Sequence, residues 1–226
     1  MSLPIRLDLH VHSSYSPDST LSPAQILEHM GAAGLNGFAL TDHNTTAGHA
    51  AIRALRDKFP AFWFIPGVEV SAREGHALVY GVAEAPARDL PVVELVEWAH
   101  ARNAVVVLAH PYRWVHGVGG RVARSAPVDG VEVWNGRNPE IANRHAELVA
   151  AQRRLSATGG SDAHEPSTLG RAFTEFLEPP ADESELIEWL RRGRVEAGGR
   201  SLTMAGRVRL MLRNGVLRAR RGFRPV

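Results

Sequence analysis

The sequence predicts an α/β protein built on a mostly parallel sheet. Two observations support this reading: short apolar, strand-like runs alternate with helix-patterned stretches, and almost every apolar run closes on a histidine or a carboxylate. In parallel α/β folds the C-terminal strand ends share one mouth, so polar residues far apart in sequence would converge there. The 226 residues, 44% of them apolar, are enough for one sizeable core but too few for two comfortable domains. One domain over residues 1–199 with a short appendage at 200–226 is therefore expected.

The elements follow in order. "IRLDL" alternates as a strand, and "SPAQILEHMGAAG" reads as a helix with Ser22 as N-cap, Pro23 at the first helical position, Gln25 closing a capping box and Gly34 as terminator. "GFALTD" is a short strand, residues 45–57 a helix, "FWFIPGVEV" and "HALVYGV" two strands, and residues 90–102 a helix introduced by Asp89. "AVVVLAH", "VDGVEVWN" and "LSATGGSD" are three further strands, with a helical segment at 138–153. The alternation fits a sheet either closed as a barrel or left open, and no internal repeat or low-complexity segment interrupts it.

Composition narrows the chemistry. With no cysteine, disulfides and thiolate metal sites are excluded, so any metal must be held by histidine nitrogens and carboxylate oxygens. No run of about 18 apolar residues and no basic-then-apolar leader is readable, so no membrane partner and a cytoplasmic location are expected. The net charge of +2 hides a split: residues 200–226 hold eight arginines and no acid, leaving 18 basic against 24 acidic side chains in the first 199 residues. Lysine occurs once, at Lys58, so nearly every cation is a guanidinium, through composition bias or heat adaptation.

The polar strand ends are His10 and His12 after the first strand, His43 after the second, Glu69 on the third, His110 closing "AVVVLAH", and Asp162 with His164 closing "LSATGGSDAH". Residues i and i+2 on a strand project to the same face about 7 Å apart, so His10 and His12 can lean onto one cation, as can Asp162 and His164. Imidazole and carboxylate suit zinc, manganese or iron. Two such pairs plus Glu69 are too many ligands for one ion. A glutamate can bridge two cations, and metals about 3.5 to 4 Å apart clamp the attacking and leaving oxygens of a phosphoryl displacement.

The strings "DLHVHSSYSPD", "ALTDHNT", "PGVEVSA", "GHALVYG", "LAHPYR" and "GGSDAH" together resemble the polymerase and histidinol phosphatase (PHP) superfamily of metal-dependent phosphoesterases, over about residues 5–180. The resemblance implies a distorted (β/α)7 barrel, here with a short basic C-terminal extension, and a di- or trinuclear site of two or three divalent ions (Zn, Mn or Fe). It implies nine ligands: His10, His12, Glu69 and Asp162 for a first metal, Glu69, His76 and His110 for a second, and Asp18, His43 and His164 for a third. His76 precedes its strand, which suits the site only if that strand runs antiparallel. Asp18 is reached by a loop, and without it the site would hold two metals.

A water or hydroxide bridging two metals is the expected nucleophile, because a bound divalent cation lowers water's pKa from about 15.7 toward about 7. Charge spreading over phosphoryl oxygens calls for arginines nearby, and Arg171 in "LGRAF" and Arg113 in "LAHPYR" are the candidate catalytic residues, each with a surface ion pair as the alternative. Asn135 is a weaker polar candidate. Asp42 reads either as an orienter of a ligand histidine or as a turn former, and Gly159 and Gly160 as sites of close backbone approach rather than phosphate binding. His29, His49, His100, His116 and His145 read as surface or helix residues.

The tail "VRLMLRNGVLRARR" carries Asn-Gly flanked by alternation, which predicts a β-hairpin with Arg209, Arg213, Arg218 and Arg220 on one face. A helix over 202–213 is the competing form. Such a face could contact nucleic-acid phosphates or pack on the acidic barrel. The preferred function is hydrolysis of a phosphomonoester or of a nucleotide or oligonucleotide phosphate. The alternatives are a histidinol-phosphatase-like or protein-tyrosine-phosphatase-like member, or a non-catalytic metal-binding accessory module. Oligomeric state is not readable.

Overall fold

The computed structural model describes residues 4–201 together with 203 and 206, so the expected tail hairpin and its four-arginine face lie outside the described residues. Among the described residues, nine strands and six α-helices follow one another as β1 (Ile5–Val11), α1 (Pro23–Ala32), β2 (Gly37–Leu40), α2 (Gly48–Leu55), β3 (Trp63–Ala72), β4 (Gly75–Tyr80), α3 (Val92–His100), β5 (Val105–Leu108), α4 (Gly119–Ser125), β6 (Gly130–Asn135), α5 (Glu140–Arg153), β7 (Ser156–Gly160), β8 (Ala172–Phe176), α6 (Glu183–Arg192) and β9 (Val195–Gly199). The strands form one sheet in the order β7-β6-β5-β4-β3-β2-β1-β8-β9.

The sheet curls until it nearly closes into a barrel, and the edge of β1 explains how. Its first half pairs antiparallel with β8 through Ile5, Arg6 and Leu7. Its second half meets the segment after β7, where the Asp162 N–H donates to His10 O (2.7 Å), the His12 N–H to Ala163 O (3.0 Å), and Val11 bridges Ala163 in parallel. One edge thus serves two partners, which brings His10, His12, Asp162 and His164 to the same corner.

β1, β2 and β3 run parallel, as do β5, β6 and β7, but β4 is antiparallel to both of its neighbours. That reversal carries the N-terminal end of β4, with His76, to the mouth where the other strands end. Ser22 and Gln25 form the expected capping box on α1, Pro23 sits in its first turn, and Gly34 follows it at φ +72°. α3 starts two residues later than expected. Asp89 sits at φ +60° and does not cap it, and Glu74 Oε2 accepts the Val92 N–H instead.

α6, β8 and β9 are additional to the sequence expectation, and the stretch between β5 and β6, read as helical or loop, holds α4. α6 has Asp182 accepting from the N–H groups of Ser184 and Glu185, acids in its first turn, arginines in its last, and Gly193 at φ +66° after it. Its Leu186, Trp189 and Leu190 pack with Leu7, Leu9, Ile65, Leu78, Tyr80, Val105 and Val107 in one buried cluster that supports the strands beneath the mouth. A second cluster joins β3, β4 and β5 to α3 and α4, and a third joins β1, β2 and β3 to α1 and α2. No helix among the described residues is long and apolar enough to cross a membrane.

Candidate metal centre

All nine candidate ligands implied by the resemblance lie around the mouth, and Glu69 is the hub. Its Oε1 is 2.9 Å from His76 Nδ1 and 3.0 Å from His110 Nε2. Its Oε2 is 2.9 Å from His43 Nδ1, 3.3 Å from His12 Nε2 and 3.4 Å from His10 Nε2. Asp162 Oδ1 lies 3.5 Å from both His12 Nε2 and His164 Nδ1. Asp18, carried by the loop after β1, places Oδ2 2.9 Å from His164 Nε2 and 3.6 Å from His43 Nε2. Among the described residues, four donor triads are compact enough for a cation: His10, His12 and Glu69; His10, His110 and Asp162; His43, Glu69 and His76; and His12, His43 and His164. These triads cut across the three sets implied by resemblance, because Glu69 and the histidines are shared.

The donor atoms fit a metal in a specific way. Glu69 Oε2 has three imidazole nitrogens within reach yet makes no hydrogen bond, and neither does the His43 Nδ1 facing it or the buried Asp18 Oδ1. The His10 and His12 Nε2 atoms are only 3.1 Å apart. Lone pairs converging on shared space without partnering one another are what ligands of a common cation provide, and buried polar atoms left otherwise unpaired would each cost free energy.

Tautomers follow from the outer contacts. The Ser16 hydroxyl donates to Asp42 Oδ1 (2.7 Å), so its lone pairs accept from the His43 N–H (3.0 Å) and from His12 Nδ1–H (3.2 Å). His12 therefore turns the Nε2 lone pair inward. Asp42, which also takes the Ser13 N–H and hydroxyl, bears on the candidate ligand His12 through Ser16 rather than by touching it.

Electrostatics divide the cluster. Burial alone would raise Glu69, but His76, His10 and His43 hold its carboxyl well below the usual range. Burial opposes the charged form of His43, yet Glu69 and Asp18 push it up to about 10, and His10 is likewise raised by Glu132, Glu69 and Asp162. Burial lowers His164 to about 3, with Arg137 and His12 adding to the effect, and burial and Arg113 lower His110. Asp162 stays ionised against burial because Arg113 and Arg137 face it. The buried acids are thus met by imidazoles and by the guanidinium groups of Arg113 and Arg137, and a divalent cation would serve the same electrostatic purpose.

Arg113 reaches Asp162 Oδ2 at 2.7 Å and also donates to Asn135 Oδ1 (2.6 Å) and Asn138 Oδ1 (3.0 Å). Arg171 sits beside Gly136, but its guanidinium forms no hydrogen bond or ion pair with the cluster among the described residues. Besides Ser16, two residues were missed by sequence reasoning. Arg137 lies 3.2 Å from Asp162 Oδ1 and 2.9 Å from His164 Nδ1, and its position two residues beyond the end of β6 was a usable signal. Glu132 bonds His10, and its string "GVEV" repeats that around Glu69. Of the histidines set aside, His100, His116 and His145 are exposed and His29 is half-buried. His49 is on α2 but buried, with Nε2–H donating to Gly67 O, and His116 stacks on His76 with ring centroids 4.5 Å apart.

A family model described as the PHP domain matches residues 8–153, and one described as PHP-associated matches residues 140–195. The chain belongs to the PHP family. Similar proteins include an uncharacterised protein of Methanocaldococcus jannaschii, 29% identical over 58% of this chain and 82% of its own length. Another is a phosphoribosyl 1,2-cyclic phosphate 1,2-diphosphodiesterase of Eggerthella lenta, 38% identical over 42% of this chain and 38% of its own. A third is a 3',5'-nucleoside bisphosphate phosphatase of Chromobacterium violaceum, 40% identical over 33% of this chain and 25% of its own. The matches to the two named enzymes thus span well under half of those proteins. Among solved structures, a two-domain protein of Bacteroides vulgatus containing a PHP-like metal-dependent phosphoesterase superposes with a TM-score of 0.73 at 18% identity, over 94% of this chain and 71% of that one. PsfC from Pseudomonas syringae gives 0.69 at 16% identity, over 96% and 99%. At these identities the likeness concerns the fold.

Proposed function

We propose that this PHP member hydrolyses a small phosphomonoester or a nucleotide phosphate at a site holding two or three divalent ions, Zn, Mn or Fe. The observation that carries the reading is Glu69, whose two oxygens face five imidazole nitrogens with one of them free of any hydrogen bond. His10, His12, Glu69 and Asp162 would hold one ion, Glu69, His76 and His110 a second, and Asp18, His43 and His164 a third. When bound, such ions activate water and neutralise charge on the phosphoryl group. The chain supplies the rest: Ser16 holds the His12 ring so that Nε2 faces inward, while Arg113 and Arg137 present guanidinium groups at the rim where phosphoryl oxygens would lie. Arg171, further from the cluster, would act on a more distal part of the substrate. The two named relatives act on phosphorylated ribose compounds, which favours a substrate of that class here.

The test combines elemental analysis of the purified protein with a panel of phosphomonoesters, phosphodiesters and nucleotides, with and without Mn²⁺. At least two metal equivalents, turnover abolished by chelator, and loss of metal in His12→Ala and Asp162→Ala with the fold retained are expected. Chelator-resistant turnover or substoichiometric metal after reconstitution would sink the reading.

A further inference from the structure

We infer that Glu132 is a positioning residue shared by two of the proposed metal positions, an inference that rests on the metal reading of the site. Glu132 lies on β6 with no exposed surface. Its Oε1 is 2.9 Å from His10 Nδ1, while its Oε2 accepts the backbone N–H of His110 at 2.8 Å and the Asn135 Nδ2–H at 2.9 Å. The backbone and amide partners are fixed donors, so Oε2 must accept, and Oε1 is left to receive the Nδ1–H of His10.

Three consequences follow from that one side chain. The proton of His10 is held on Nδ1, which turns its Nε2 toward His12, Glu69 and Asp162. His110 occupies a left-handed backbone conformation at φ +29°, uncommon for a residue with a Cβ, and the Glu132 bond to its N–H holds that turn so that its Nε2 reaches Glu69. Asn135, fixed by the same oxygen, contacts Asp162 Oδ2 at 3.3 Å and receives Arg113 Nη2 on its own carbonyl. A single carboxylate thus sets a ligand at each of two metal positions and, through Asn135, the arginine at the rim. Among the described residues its ion-pair partner is His10 and no lysine or arginine joins it, so it is placed to orient rather than to form a stabilising ion pair.

Glutamine has the same shape but offers one acceptor where three donors must be met. Glu132→Gln can satisfy the His10 side or the His110 and Asn135 side, not both. Metal-stripped wild-type and variant chains are titrated with Zn²⁺ against a chromophoric chelator, and the visible spectrum of each is recorded after loading with Co²⁺. The expected result is a loss of about 10- to 100-fold in affinity at both of the two tightest positions, an altered Co²⁺ spectrum, and unchanged far-UV circular dichroism. Wild-type affinities in a folded Glu132→Gln chain would overturn the inference, and weakening at one position alone would overturn the shared role. Should the variant not fold, the Zn²⁺-loaded wild type decides the matter. Long-range ¹H–¹⁵N spectra should show a protected proton on His10 Nδ1, and a ring protonated on Nε2 instead would refute the assignment. A wild-type chain that takes up no Zn²⁺ would sink the metal reading itself and the inference with it.

Discussion

Replacing Gly160 with alanine should break the barrel seam and the site together. A Cβ at Gly160 would lie 2.3 Å from His10 Cβ, 2.6 Å from its backbone N and 3.0 Å from its Cα, none of which is the yielding end of a flexible side chain. The seam cannot slide aside without cost, because the bonds from Asp162 N–H to His10 O and from His12 N–H to Ala163 O pin it just beyond the clash. Overpacking costs about 1 to 3 kcal/mol, and each backbone bond given up adds about 1 kcal/mol, so a loss of about 3 to 5 kcal/mol is expected. At about 2 to 4 °C per kcal/mol for a domain of this size, Tm should fall by on the order of 10 °C. Gly31→Ala is the contrasting case: it lies within α1, the nearest heavy atom to its added methyl is Phe62 Cζ at 3.5 Å, and alanine there should stabilise by about 0.5 to 1 kcal/mol. Urea and thermal unfolding of both variants, with Zn²⁺ uptake measured in parallel, provide the comparison. A Gly160→Ala chain that melts with the wild type and binds metal normally would refute the close-approach reading of this glycine.

Asp8 should make stability fall as pH rises. Burial pushes its carboxyl up from 3.8 to about 6, against the pull of the Ser161, Gly170 and His10 N–H groups, so between those values the folded chain holds the proton more tightly than the unfolded chain. The contribution is therefore most favourable below about pH 4 and is lost by about pH 6, amounting to roughly 3 kcal/mol. The stability difference between wild type and Asp8→Asn, followed from pH 4 to 7, should show that slope, and parallel curves would refute it. Arg113→Ala should lower kcat/KM for a phosphomonoester by about 100- to 1,000-fold while leaving metal content in place, and steady-state kinetics with elemental analysis reads both. Replacing Arg209, Arg213, Arg218 and Arg220 together with glutamine should leave hydrolysis of a small phosphomonoester within a few-fold of wild type. A selective loss on oligonucleotides, with wild-type binding that weakens steeply in salt at a log–log slope near −3 (about −0.7 per contact), would assign the tail to nucleic acid.

The residues that gather at the mouth were legible as candidate ligands because a histidine or acid closing an apolar strand has few reasons to be there, and the barrel brings such ends together whatever lies between them. His76 became consistent only once β4 was seen to run antiparallel, since an alternating run does not announce its direction. Glu132 marks where this reasoning stops. It stands in "GVEV" as Glu69 does, yet Glu69 faces five imidazole nitrogens, whereas Glu132 gives its oxygens to His10 Nδ1, the His110 N–H and Asn135. What separates the two acids is the neighbour across the sheet, 122 residues away in the case of His10, and no local pattern encodes that neighbour. α6 escaped for the opposite reason. Its signals are entirely local, from the Asp182 cap to Gly193, but it follows the last motif of the resemblance and bears no ligand. Its buried face supports the strands beneath the mouth instead, so an account that follows chemistry along the chain passes over the helix on which the placement of that chemistry depends.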